Sequence, residues 1–157
     1  MKVYSITETI DALPNVIWDV LTDPSKYHQW NPSLHKAEGQ VKSGGRLKLY
    51  MKAQPERAIG IKVTAFDPDE YMVWVGGMPF GLFKGVRTFT LTHLVDDTTK
   101  FEMEEVFSGL MSGFILRSMP DMNVLFQQFT QGLKRQAESI TNAKRKSEYI
   151  DDRENEY

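Results

Sequence analysis

The feature that most constrains this chain is the stretch from Ile10 to Pro32, Ile-Asp-Ala-Leu-Pro-Asn-Val-Ile-Trp-Asp-Val-Leu-Thr-Asp-Pro-Ser-Lys-Tyr-His-Gln-Trp-Asn-Pro. Before it, Tyr4, Ile6, Glu8 and Ile10 share one phase, as in a strand. Pro14 suits the first position of a helix, and Val16, Ile17, Val20 and Leu21 form an apolar stripe at helical spacing. Pro24 disfavours the α region at Asp23, so the helix ends there. Ser25 to Trp30 reads as a second short turn, and Asn31-Pro32 sends the chain outward. Two short helices tucked behind a first strand must pack on something large and apolar, and the rest of the chain supplies a sheet.

That sheet is written in alternation. Leu47, Leu49 and Met51 alternate with charged or polar neighbours, as do Ile59, Ile61 and Val63. A weaker strand is expected over Lys36–Val41 and a β-rich one over Tyr71–Val75. Residues 76–85, Gly-Gly-Met-Pro-Phe-Gly-Leu-Phe-Lys-Gly, read as an apolar, Gly-rich loop. Two longer strands follow, with Arg87, Phe89, Leu91 and His93 on one face of the first and Phe101, Met103, Glu105 and Phe107 on one face of the second. For both sets to face inward the intervening loop needs an odd number of residues. A loop of Asp96, Asp97 and Thr98 sets Phe89 opposite Glu105 and Arg87 opposite Phe107, with Arg87 and Glu105 diagonal.

From Pro120 onward Met122, Leu125, Phe126, Phe129, Leu133, Ala137 and Ile140 recur at steps of three and four, an amphipathic helix of about 20 residues. Residues 141–157 are dense in charge, and a frayed end passing into disorder is expected there. The chain thus reads as one domain over 1–140 with a charged tail over 141–157. A strand, two short helices, a long antiparallel region and a last helix make a sheet wrapped around a helix, with room for a ligand between them.

Other classes of function are disfavoured. A net charge of −2 argues against nucleic acid, which would need a clustered basic face. The sequence has no cysteine, which removes disulfides, Cys-based zinc sites and thiol chemistry. The three histidines, His28, His35 and His93, lack metal-ligand spacing. No phosphate loop or nucleophile elbow is present. With no apolar leader and no run of about 18 apolar residues, a cytoplasmic chain without stable membrane insertion is expected.

The pattern Ala12, Pro14, Val16, Trp18, Val20, Leu21, Asp23, Tyr27, Trp30, Asn31, Pro32 resembles the START-like, or SRPBCC, superfamily, the polyketide cyclase/dehydrase and lipid-transport group that includes the birch-pollen allergen. Phe101 to Gly109 and Phe126 to Lys134 also match. The resemblance implies an α+β helix-grip fold: a curved seven-stranded antiparallel sheet around a long C-terminal helix, with two short helices after strand 1. It further implies a hydrophobic small-molecule ligand such as a lipid, sterol or polyketide-like chain; from the residues themselves, no cofactor or metal is expected. In this chain Leu13 stands where relatives often carry a small helix-capping residue.

On this reading the ligand-binding candidates are Trp74, Arg87, Phe89, Leu91, Met103, Glu105 and Phe107 from the strands, and Met122, Phe126 and Phe129 from the helix. Arg87 and Glu105 are charged residues in an apolar phase, so burial requires that they pair. Such a pair is either purely structural or a polar anchor on the cavity wall. A cyclase or dehydratase using Arg87 and Glu105 is the alternative, and a protein-interaction module is a third. Met78, Phe80, Leu82 and Phe83 are candidates for a lid or for a dimer patch, the chain being a monomer or a weak homodimer.

Overall fold

Alternation of inward apolar and outward polar residues builds one antiparallel sheet in the computed structural model, which describes residues 1–156. Its strands are β1 (Lys2–Ile10), β2 (Leu34–Gly39), β3 (Arg46–Met51), β4 (Ala58–Asp67), β5 (Tyr71–Met78), β6 (Phe83–His93) and β7 (Thr99–Ser108). The spatial order β1-β7-β6-β5-β4-β3-β2 is a meander with the first strand added beside the last. The sheet curves around the helices, as the helix-grip expectation requires.

The two short helices form as the sequence dictates. In α1 (Pro14–Leu21) Pro14 opens the first turn, and Val16, Ile17, Trp18, Val20 and Leu21 are buried. Leu13 provides no side-chain cap. A 3-10 turn at Pro24–Lys26 leads into α2 (Tyr27–Trp30), whose buried residues are Tyr27 and Trp30. Asn31 then closes a turn, its Oδ1 accepting from the Ser33 backbone N–H at 3.1 Å and hydroxyl at 2.8 Å.

A short helix α3 (Ser112–Ser118) precedes α4 (Met122–Glu154), where Asp121 caps the start by accepting from Asn123 N–H. Helix α4 runs well past Ile140: residues 141–154 continue it where a frayed end and disorder were expected. Ala143, Lys144, Arg145, Lys146 and Glu148 are good helix formers, and a charged composition does not oppose helix once a packed stem nucleates it. Arg145 also holds Asp11 through two bonds of 3.2 Å.

Two sequence expectations about the strands are corrected. The β6–β7 loop is three residues long, but it is Val95-Asp96-Asp97, with Leu94 N–H donating to Thr98 O at 2.9 Å. Asp97 adopts φ +60°, the left-handed position that a three-residue hairpin loop requires and that Asp tolerates. The register therefore sets Arg87 directly opposite Glu105 and Phe89 opposite Met103. The stretch 76–85 is not a loop. Gly76, Gly77 and Met78 pair with Gly85, Lys84 and Phe83, so only Pro79 to Leu82 turn.

Candidate functional site

Two ends of the space between sheet and α4 differ sharply. At the end near α1 and α2 the interior is closed by a ring of aromatics. Trp74 meets Phe89 edge-on at 4.7 Å, and Phe89 meets Phe129 at 5.9 Å. Phe129 meets Trp30 at 5.1 Å, Trp30 meets Tyr27 at 5.3 Å, and Tyr27 returns to Trp74 at 6.3 Å. Phe101, Met103, Leu91 and Leu133 pack around this ring and are buried. The Tyr27 hydroxyl donates to Leu21 O, and burial pushes its pKa far up, with Asp23 adding to the shift. Gly132 lets α4 touch α2: a Cβ there would lie 1.9 Å from Trp30 O. Trp74, Phe89, Leu91, Met103 and Phe129, expected to line a ligand space, are thus packed on one another at this end.

The other end is built around the ion pair. Arg87 and Glu105 stand opposite one another on the inward faces of β6 and β7. The Arg87 Nε and Nη2 both donate to Glu105 Oε2, at 3.0 and 2.6 Å. Their side chains are only 18% and 13% exposed. The guanidinium lies over the rings of Phe126 and Phe129, at 5.1 and 5.7 Å. Gly85 makes room for this arrangement, since a Cβ there would lie 3.1 Å from both Glu105 Oε1 and the Phe107 ring. Tyr4 meets Phe107 edge-on at 5.9 Å, and Phe83 stacks on the same ring at 5.5 Å. Phe107 and Phe126 therefore lie in one cluster with Arg87 and Glu105, while Met122 is buried in the first turn of α4.

Beyond the pair the concave face continues as an apolar surface that α4 covers less fully. Cross-strand register aligns Leu47, Ile61, Gly76, Gly85 and Phe107 in one inward row. In the next, Leu49 pairs with Ile59 and Met78 with Phe83. Leu49, Ile61 and Phe83 are half-buried, while Ile59 and Met78 are exposed. Leu49, Ile59 and Ile61 were visible in the sequence as inward residues, but their uncovered position depends on sheet curvature, which alternation does not report.

Of the four lid candidates, Phe83 lies on the inner wall, Leu82 is half-buried, and Met78 and Phe80 are exposed. The hairpin bearing them is tied to the β7–α3 junction, where Met111 N–H donates to Leu82 O at 2.8 Å. Helix α3 has no fully buried residue and shields this end only loosely. Two surface grooves are open. One is bordered by Pro14, Asp69, Tyr71 and His93; the other, beside this hairpin, by Arg46, Lys48, Lys62 and Lys84 together with Ile61, Met78 and Phe83. Among the described residues no cluster of His, Asp and Glu could hold a metal, and no helix is long and apolar enough to cross a membrane.

A curved seven-stranded sheet gripping a long helix, with a polar couple in an apolar wall, defines a START-like helix-grip domain. The chain belongs to the polyketide cyclase/dehydrase and lipid transport family, which it matches over residues 1–138. No curated protein sequence matches it. Among solved structures, a hypothetical protein of Helicobacter pylori is similar at 17% identity and TM-score 0.72, over 87% of this chain and 88% of that one. A START superfamily protein from Mycobacterium smegmatis is similar at 15% identity and TM-score 0.66, over 88% of this chain and 98% of that one. The di-domain ARO/CYC protein BexL of the BE-7585A biosynthetic pathway is similar at 14% identity and TM-score 0.68, over 90% of this chain but 48% of that one. At these identities the likeness is one of fold.

Proposed function

We propose that this protein binds an amphipathic small molecule of lipid or polyketide-like character at the looser end of the grip, without transforming it. The observation that carries this reading is the inward Arg87–Glu105 pair set beside an incompletely covered apolar surface. Ligand sites are mostly apolar with a few placed polar groups, and the pair has that placement. Its two bonds use Nε, Nη2 and Oε2, leaving Arg87 Nη1 to donate to, and Glu105 Oε1 to accept from, a ligand's polar end. The apolar body of the ligand would lie along Ile61, Phe83, Phe107 and Phe126, with burial contributing roughly 25 cal/mol per Å2.

Binding is favoured over proton transfer because Glu105 Oε2 is committed to two charge-assisted bonds. The test is displacement of a fluorescent fatty acid from purified protein, with native mass spectrometry to count bound molecules. Uptake of one molecule is expected, with affinity for a carboxyl- or hydroxyl-bearing probe falling about tenfold in Arg87→Met/Glu105→Leu, while an all-apolar analogue is unaffected. Failure of every apolar and amphipathic probe to bind would overturn the proposal.

A further inference from the structure

The turn that closes β5 onto β6 is built against its own local preference. Pro79 O accepts from Leu82 N–H, and the two residues between them, Phe80 and Gly81, have φ +61° and +67°. Both central residues left-handed is the type I′ arrangement, for which Asn-Gly is the favoured pair. A bulky aromatic in the left-handed region is strained. Phe80 nevertheless occupies it, and its side chain packs on nothing: it is 95% exposed. Strain of this kind persists where a position serves something other than stability.

Phe80 does not stand alone. Gly109 approaches so closely that a Cβ there would lie 2.6 Å from Leu82 O, and Met111 N–H bonds that same oxygen. This fuses the hairpin tip to the β7–α3 junction, where Leu110 and Phe114 are 91% and 72% exposed. Three large apolar side chains therefore project from one knob at the looser end of the grip. Neither 76–86 nor 109–119 contains a carboxylate, although the chain as a whole is acidic; Lys84 and Arg117 are the charges there.

The outer face of the sheet beside the knob is basic. Register aligns Lys48, Gly60, Gly77 and Lys84 in the outward row nearest the turn, with Arg46 and Lys62 paired in the row behind. These four cations border one open groove, floored by the two glycines, and none of them forms an ion pair among the described residues. The groove's carboxylate, Glu38, is engaged by Lys36 at 3.1 Å. Apolar prongs flanked by unpaired cations complement an anionic bilayer, whose interface takes aromatic side chains and whose headgroups attract Lys and Arg.

We infer that the knob of Phe80, Leu110 and Phe114 docks this protein on anionic lipid bilayers, with Lys48, Lys84, Arg46 and Lys62 contacting the headgroups. Docking there sets the looser end of the grip against the bilayer, where an amphipathic ligand can pass between the two. The inference extends the binding reading of the interior, but it is measured without any ligand.

The experiment is co-sedimentation of the full chain with vesicles of phosphatidylcholine alone and of phosphatidylcholine mixed with phosphatidylglycerol, at low and high salt. Stronger partition into the anionic vesicles, weakened by salt, is expected. Phe80→Asn should lower partition about tenfold, as loss of one inserted aromatic implies, and at the same time raise the thermal midpoint, because Asn suits the turn. Lys48→Ala and Lys84→Ala should each cost about fivefold on anionic vesicles and nothing on neutral ones. Equal partition of Phe80→Asn and the parent would overturn the inference. So would absence of vesicle binding with concentration-dependent self-association lost in Phe80→Asn, which would assign the knob to a second copy of the chain. A protein that docks but takes up no fluorescent fatty acid defeats the interior proposal alone; one that takes up the probe but ignores vesicles defeats this one alone.

Discussion

The two ends of the grip use the same residue types to opposite effect. Near α1 and α2, aromatic rings close a circuit from Trp74 through Phe89, Phe129, Trp30 and Tyr27, and α4 comes down on α2 through Gly132. Near the β5–β6 turn, Phe83 stacks on Phe107, and Phe126 lies tilted against Tyr4. There they surround an ion pair, and a short helix without a fully buried residue shields them. Packing stabilises the first end; the second leaves charge and apolar surface less fully covered. On the binding reading proposed above, stability and binding fall to separate halves of one continuous interior.

This division can be broken most forcefully at the closed end. Leu133→Ala removes a fully buried side chain beside the aromatic circuit and should cost about 3 kcal/mol in urea unfolding. Gly132→Ala drives a methyl into Trp30 O and should cost about as much. By contrast Leu116→Ala in α3, only half-buried, should cost under about 1 kcal/mol. Equal losses at the two ends would refute the comparison.

The ion pair offers a finer test. Arg87→Met leaves Glu105 mostly shielded and without its guanidinium, for about 2 kcal/mol of destabilisation. That lies below the cost of breaking a fully buried pair because both side chains retain some exposure. Replacing both, Arg87→Met/Glu105→Leu, should restore most of the stability by the same measurement. If the double variant is as unstable as the single, the pair holds the fold and is not free to serve a ligand. Gly85→Ala should cost about 1 kcal/mol by crowding Glu105 Oε1 and the Phe107 ring, and should weaken probe binding with little change in the closed end.

The smallest effect lies outside both ends, on the overhang of α4. Two hydrogen bonds from Arg145, reinforced by its charge, hold the Asp11 carboxyl below its ordinary value of 3.8. A lowered carboxyl contributes its stabilisation above the ordinary value and loses it as pH falls through the folded one. Amide-exchange protection factors within 141–150, corrected for the intrinsic rate at each pH, should therefore be unchanged between about pH 7 and pH 5, and should fall slightly only in strong acid. Loss of protection already at pH 5 would mean another group holds the overhang.

Much of this architecture was legible in the sequence because it follows from periodicity. Pro14, Pro24 and the Val16–Leu21 stripe specify α1, and the parity of β6 and β7 places Arg87 and Glu105 inward. The remainder depended on φ values and curvature. Gly76, Gly77 and Gly85 resemble loop punctuation, yet they lie in strands where a side chain would collide with the opposite backbone or with Glu105 and Phe107. The β6–β7 register differs from the expected one because the left-handed position falls at Asp97 as the last residue of a 95–97 loop, and nothing in the hydropathy pattern marks it. The continued α4 was hidden by charge, which resembles disorder when read without the packed stem that starts the helix.

That Asp97 turn governs more than its own loop. Sliding β7 by two residues along β6 would preserve every inward and outward choice, and hydropathy would not object. It would, however, face Arg87 with Met103 or Phe107 and strand a cation in grease. A solvent-exposed bend ten residues away thus acts as the gauge that matches base to acid, and variation at that bend can rewrite the interior without touching a single interior letter.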